Sequence, residues 1–457
     1  MRTWADDVHL MVRWDFVSQA MRSRKLCGVI LIISLAALCL RAGSSRRVVG
    51  VPGNHVSGVS GNLFTGEKVR SFRGARRQNS SQRSHSAFVH DNLSHCENWA
   101  VCTTIFEPSE AVHDVCKRFS TFCLVVVADL KTKEPFQVLG NCEFIYLSVS
   151  RQRELSSSSK FALHTPWNHF GRKNLGYLFA VANGAKQIWD FDDDNLLLSS
   201  ENMGVQNGKE PESYVGIREL NSTFMNPYPL LGAEQFSWPR GFPLELILSA
   251  STRPSREHVT KVPARAEQIG VVQALANNDP DVDAIYRLQR PLPFSFRGLS
   301  KNHALFLIPS KTFVPWNAQA TLFRHRDAMW TAYLPISVHG RVSDIWRSLI
   351  AQRLFRDACL RTAFMTEATV QQNRNPHSYL ADFDAEQDLY RKSRQLIEFL
   401  DRWQPSQLDF PDQIEQLYVE LYERDYVGLR DIEMIQLWLA ELRLINYRFP
   451  TFQGDEC

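Results

Sequence analysis

Several familiar signatures are missing from this sequence. It has no Gly-rich phosphate loop, no Ser-His-Asp order and no nucleophile elbow, so it shows neither of the commonest motifs for phosphate cradling and triad hydrolysis. It lacks CxxC pairs and any Cys/His spacing suited to zinc. There is no internal repeat and no coiled coil of useful length. The formal net charge is only +3 over 457 residues, which makes no electrostatic case for nucleic acid and implies no strongly acidic partner. Long apolar runs are scarce too, and that makes the one near the N-terminus informative.

Residues 26–40 (LCGVILIISLAALCL) carry no charge, follow Arg22, Arg24 and Lys25, and are closed by Arg41. A bilayer-spanning helix needs roughly 20 apolar residues, so this run is short. It reads either as an uncleaved signal anchor, with Arg41 snorkelling, or as a cleaved signal peptide ending at the small residues Ala42, Gly43 and Ser44. The 25 preceding residues are long for a signal-peptide n-region, which favours the anchor. Sequons at Asn79, Asn92 and Asn221 agree with a secretory lumen. Five of the nine cysteines, Cys96, Cys102, Cys116, Cys123 and Cys142, lie close together where the folded part begins. In an oxidising lumen that spacing suggests one or two disulfides.

At ~150 residues per domain, the length allows two or three domains. Residues 1–25 read as a cytoplasmic tail, 26–40 as the anchor and 41–95 as a flexible stem, too polar to offset chain entropy by apolar burial. Residues 96–380 then show a β-α-β alternation. Phe122 to Ala128 is a continuous apolar run typical of a central parallel strand. The pattern predicts an α/β, Rossmann-like open sheet, turning loop-rich after residue 195. Residues 381–457 carry helical apolar spacing and read as a C-terminal helical region.

The centre of the sequence is the stretch from Lys173 to Asn195: a helix, a glycine stop, a short apolar strand, and the carboxylates Asp190, Asp192, Asp193 and Asp194. Acids packed that closely repel one another unless a cation offsets them, and oxygen-only ligands suit Mn²⁺ or Mg²⁺. A solvated acidic turn or a structural calcium loop is the alternative.

Several blocks in order, including Val125 to Thr132, Arg172 to Asn195, Trp238 to Pro243, Asp279 to Ala284, Pro315 to Gln319, Ser343 to Arg347 and Arg374 to His377, resemble the STELLO-type glycosyltransferase-like family. The resemblance implies a type II Golgi membrane protein with a GT-A-like luminal domain, the fold of nucleotide-sugar glycosyltransferases. It also implies a UDP- or GDP-linked donor, a glycan acceptor, and an association with glycan-synthase partners. On that resemblance Asp192 and Asp194 are the metal-binding acids, and His377 completes the metal shell. Asp129, at a strand end, and Lys131 either contact the nucleotide or form an exposed turn. Arg172 and Lys173 either neutralise the diphosphate or pair with the nearby acids. Asp344, with Trp346 beside it as a sugar-stacking surface, is the candidate general base, its alternative being a helix cap. Asp281 and Asp283 are either a substrate-side pair or a plain turn. A catalytically silent scaffold that keeps this shell, or a secreted lectin-like module, is the competing functional class.

Overall fold

The computed structural model describes residues 86–451 except 94, 120, 199–213, 218–219, 300–304, 375 and 407–408. The expected tail, the anchor at 26–40, most of the stem and the Asn79 sequon lie outside the described residues. Among the described residues no helix is long and apolar enough to cross a membrane.

The N-terminal half follows the β-α-β expectation. Strand β1 (Asn98–Thr104) leads to α1 (Glu110–Arg118), whose start is capped by the Ser109 hydroxyl accepting from the Val112 N–H. Strand β2 (Phe122–Ala128) is buried at every position, as its unbroken apolar run requires, and β3 (Glu143–Leu147) lies beyond it. After α2 (Val149–Ser158) and α3 (Lys160–His164), helix α4 (Lys173–Ala182) crosses the sheet and delivers the chain to β4 (Gln187–Phe191). A Cβ at Gly176 would stand 2.7 Å from Val101 Cγ1 and 2.8 Å from Val127 Cγ2, so only glycine lets α4 approach β1 and β2 this closely.

The sheet does not stop there, and this corrects the loop-rich reading of the middle of the chain. Strands β5 (Asn195–Leu197), β6 (Tyr214–Gly216), β7 (Thr260–Val262), β8 (Ile269–Asn277), β9 (Leu305–Leu307), β10 (Ala320–Phe323) and β11 (Arg361–Gln372) extend the same sheet. Its order is β3-β2-β1-β4-β10-β8-β11-β9-β6-β7, with β5 pairing β11. The half up to β4 is parallel, and β10 joins β4 and β8 antiparallel. Strands of three or four residues are too short to show a period, which is why they escape a sequence reading.

Helix α5 (Ala284–Gln289) follows β8, α6 (Gly340–Asp357) precedes β11, and α7 (Tyr379–Ala385) follows it. The C-terminal helices α8 (Gln387–Arg402), α9 (Phe410–Glu423) and α10 (Leu429–Leu444) form as their spacing predicts. In α8 the buried Leu389, Leu396, Ile397 and Leu400 make one stripe. They share one core with the sheet: Trp330 packs edge-on to Phe410 at 4.9 Å and Phe161 meets Trp438 at 5.6 Å. Residues Gln82–Cys457 accordingly form one compact unit. The fold also begins earlier than residue 96, because Phe88 and Leu93 are buried and the Asn183 side chain bonds both His90 N–H and Phe88 C=O. Disulfides join Cys96 to Cys123 and Cys116 to Cys142. Among the described residues Cys102, buried in β1, is the free thiol.

Candidate functional site

The chain moves outward from β1 through β2 to β3, then returns to place β4 on the other side of β1. Connections leave the carboxyl ends of β1 and β4 in opposite directions, and ligands of open α/β sheets bind in the crevice at such a switch point. The acidic turn sits there. The Asp192 N–H donates to Gln319 C=O at 3.2 Å, and Asp194 C=O accepts from Asn373 N–H at 3.0 Å, so β10 and β11 hold the turn from both sides.

The four carboxylates have different surroundings. Asp190, the one acid within β4, is fully buried. It lies 2.6 Å from Lys173 Nζ and 3.0 Å from Arg347 Nη2. Asp192 keeps its side chain 46% exposed, 3.0 Å from the same Lys173. Asp193 accepts a short hydrogen bond from the Thr104 hydroxyl at the end of β1. Burial pushes its carboxyl up to about 6, with the charges of Asp192 and Asp194 adding to the rise against the opposing Thr104 bond. Asp194 is also raised, by burial and then by Asp192, against the opposing pull of Arg374 and Gln372.

Lys173 resolves its two expected roles in favour of pairing. Besides the two carboxylates, its ammonium donates to Phe191 C=O and Ala318 C=O, both at 2.8 Å. Burial alone would lower its pKa, but Asp190 and Asp192 outweigh that and hold it well above the usual value. Lys173 and Arg347 pair with Asp190 and Asp192, while among the described residues Asp193 and Asp194 have no ion pair within 4 Å and Arg374 acts on Asp194 from farther away. The amides of Asn195 and Gln372 donate to Asp194, while their buried carbonyl oxygens have no hydrogen-bond partner. An oxygen-only set of gathered carboxylates fits a hard divalent cation.

The other expected site residues are placed elsewhere. His377 engages Asp382 through Nε2 at 2.8 Å and is not drawn into a ligand set with Asp192 and Asp194. Among the described residues the one grouping of three metal-type ligands is His95, Cys96 and Cys123, and its two cysteines are joined as a disulfide. The Asp129 carboxylate accepts from the N–H groups of Leu130, Asn168 and His169 at 2.7, 2.7 and 2.9 Å, so it fixes the loop before α4 and does not face a nucleotide. Lys131 is exposed on that turn. Arg172 is buried under Trp167, 3.6 Å from its ring centre, and donates to Gln152 and to Thr165 C=O; it does not reach the acidic turn.

Asp344 is neither free nor a cap. His339 caps α6, and both Asp344 oxygens bond Arg240, at 3.0 and 2.7 Å, with further bonds from Ala318 and Ile345 N–H. Arg240 in turn pairs Asp281 at 2.8 Å, so Asp344 positions the loop at Ala318. Trp346 is fully buried and donates to Tyr426 C=O, which rules it out as a sugar-stacking surface. Asp283 caps α5 and accepts from the Trp238 indole, so Asp281 and Asp283 are structural.

Three residues of the site gave no separate signal in the sequence: Thr104, Arg347 and Gln372. Each becomes functional only by reaching a distant carboxylate. The nearest clue was a charged residue inside an apolar helix, since buried arginines are seldom unpaired.

The fold and site together define a mixed α/β protein with an oxygen-lined acidic turn at its sheet's switch point, an arrangement compatible with a GT-A-like fold. Residues 341–457 match the family model of the STELLO glycosyltransferases. The chain is 29% identical over 371 residues to "Probable glycosyltransferase STELLO2" of Arabidopsis thaliana, a match covering 79% of this chain and 46% of that protein. It is 27% identical over 371 residues to "Probable glycosyltransferase STELLO1" of the same plant, with the same coverage of 79% and 46%. The chain is similar to these STELLO-type glycosyltransferases over the matched residues, and it spans less than half the length of the two.

Proposed function

We propose that this protein is a metal-dependent glycosyltransferase of the Golgi lumen, held by a type II anchor at residues 26–40, that moves a sugar from a UDP- or GDP-linked donor to a glycan acceptor. The observation that carries this reading is the negative charge gathered at the turn, with Asp192 46% exposed and Asp194 partly exposed beside it. Asp192 and Asp194 would hold Mn²⁺ or Mg²⁺, which when bound would offset the charge that develops on the departing diphosphate.

The chain's own groups do the positioning. Lys173 bridges Asp190 and Asp192 and ties the turn to Ala318. Thr104 supplies Asp193 with a donor from the neighbouring strand. Gln372 and Asn195 orient Asp194. Preorganised in this way, the turn meets the donor with little rearrangement.

A catalytically silent scaffold that organises glycan-synthesising partners is the second reading. One observation favours it: Arg240 closes both oxygens of Asp344, so no acceptor base is evident at that position. Calorimetric titration of the full chain with UDP and GDP, with and without Mn²⁺, separates the two. Metal-dependent binding that disappears in Asp192→Ala/Asp194→Ala supports the transferase; a folded wild-type chain that binds neither nucleotide sinks it.

A further inference from the structure

We infer that Arg374 is the diphosphate-binding arm of the acidic site, receiving the phosphate oxygens of a nucleoside diphosphate beside Asp194. The inference rests on the transferase reading above and adds to it the group that would meet the donor's own charge.

A diphosphate brought to the turn carries negative charge toward carboxylates, so a cation must face it from the protein side. Lys173 has no capacity left, because two carboxylates and two carbonyls surround its ammonium. Arg347 is buried against Asp190 and Asn317 C=O. Arg240 is divided between Asp281 and Asp344.

Arg374 differs from all of these. Its side chain keeps 16% of its surface exposed, and its ion pair to Asp279 is long, at 3.7 Å. That carboxylate is already matched by Arg287 at 3.0 Å, so two guanidinium groups share one acid and Arg374 holds it by the longer contact. Its location follows from its neighbours: the Gln372 amide donates to Asp194 at 3.3 Å, and Asn373 N–H donates to Asp194 C=O at 3.0 Å. Asn278 binds the same stretch through Gln372 C=O at 3.0 Å, which ties Arg374 to the end of β8. A partly exposed guanidinium with one long ion pair, one residue from the clamp on Asp194, is suited to grip a diphosphate in bidentate fashion.

The test is titration of the full chain with UDP and GDP in Mn²⁺, comparing wild type, Arg374→Ala and Arg374→Lys, with uridine and guanosine as probes lacking phosphate. Loss of a charge-assisted contact should weaken nucleoside-diphosphate binding about tenfold or more in Arg374→Ala. Arg374→Lys should recover part of the affinity, and nucleoside binding should not change. Mn²⁺ affinity measured without nucleotide should not fall, which shows that the turn is intact. Wild-type diphosphate affinity in a folded Arg374→Ala overturns the inference and leaves the transferase reading standing. Failure of the wild-type chain to bind either diphosphate overturns both.

Discussion

Arg347 Nη2 lies 3.0 Å from Asp190 Oδ2, so the middle of α6 is tied to the buried end of β4. The guanidinium also lies over Trp316, 5.1 Å from the ring centre, so its removal would cost both pairing and packing. Removing Arg347 leaves the fully buried Asp190 with Lys173 alone, a cation it already shares with Asp192.

Arg347→Met should therefore destabilise the fold by about 3 kcal/mol, read as a lowered denaturation midpoint. Arg347→Met/Asp190→Asn should recover part of that loss, since the stranded charge is gone. If the single and double variants unfold alike, the pair is not coupled.

Mn²⁺ should raise the melting temperature of the wild-type chain and leave Asp192→Ala/Asp194→Ala unmoved. In the absence of metal the double variant should match or exceed wild-type stability, because the turn gathers four carboxylates and repulsion is relieved. Equal metal stabilisation of both proteins would move the ion away from this turn.

Asp193 gives stability a definite pH dependence. Its folded carboxyl is raised to about 6, chiefly by burial, while its unfolded value is near 4. The folded state keeps its proton longer, so stability should fall as pH rises between those values, by on the order of 2 kcal/mol. Denaturation midpoints of wild type and Asp193→Asn should agree near pH 4 and diverge in favour of Asp193→Asn by pH 7. Parallel profiles would show that Asp193 ionises in the fold without penalty.

Gly176→Ala tests the approach of α4 to the sheet. The new methyl would meet Val101 and Val127 at under 3 Å, so overpacking should cost about 1–3 kcal/mol. Gly184→Ala should cost less through packing, since nothing lies within 4 Å of it, and instead strain the backbone at φ +88°. A silent Gly176→Ala would mean that the helix sits farther from the strands.

Much of this architecture is legible in the residues because it depends on local patterns. Phe122 to Ala128 is apolar at every position and becomes a strand covered on both faces. Lys173 to Asp194 reads directly as helix, glycine stop, strand and acidic turn, and the C-terminal helices carry their own apolar stripes. The short strands β5, β6, β7, β9 and β10 were hidden, because three or four residues define no period. What each charged residue does was hidden as well. Asp344 and Arg172 look like ligand-binding groups in sequence, yet each is taken up by a distant partner, Arg240 and Gln152.

The sequence by itself determined the α/β class, the acidic turn and the disulfide-bearing N-terminal half, because periodicity and composition are properties of neighbours along the chain. Only the tertiary structure decided which acids are neutralised and which stay open. That outcome depends on side chains such as Arg347 and Gln372 arriving from far along the sequence, and a buried charge is tolerated only where such a partner meets it.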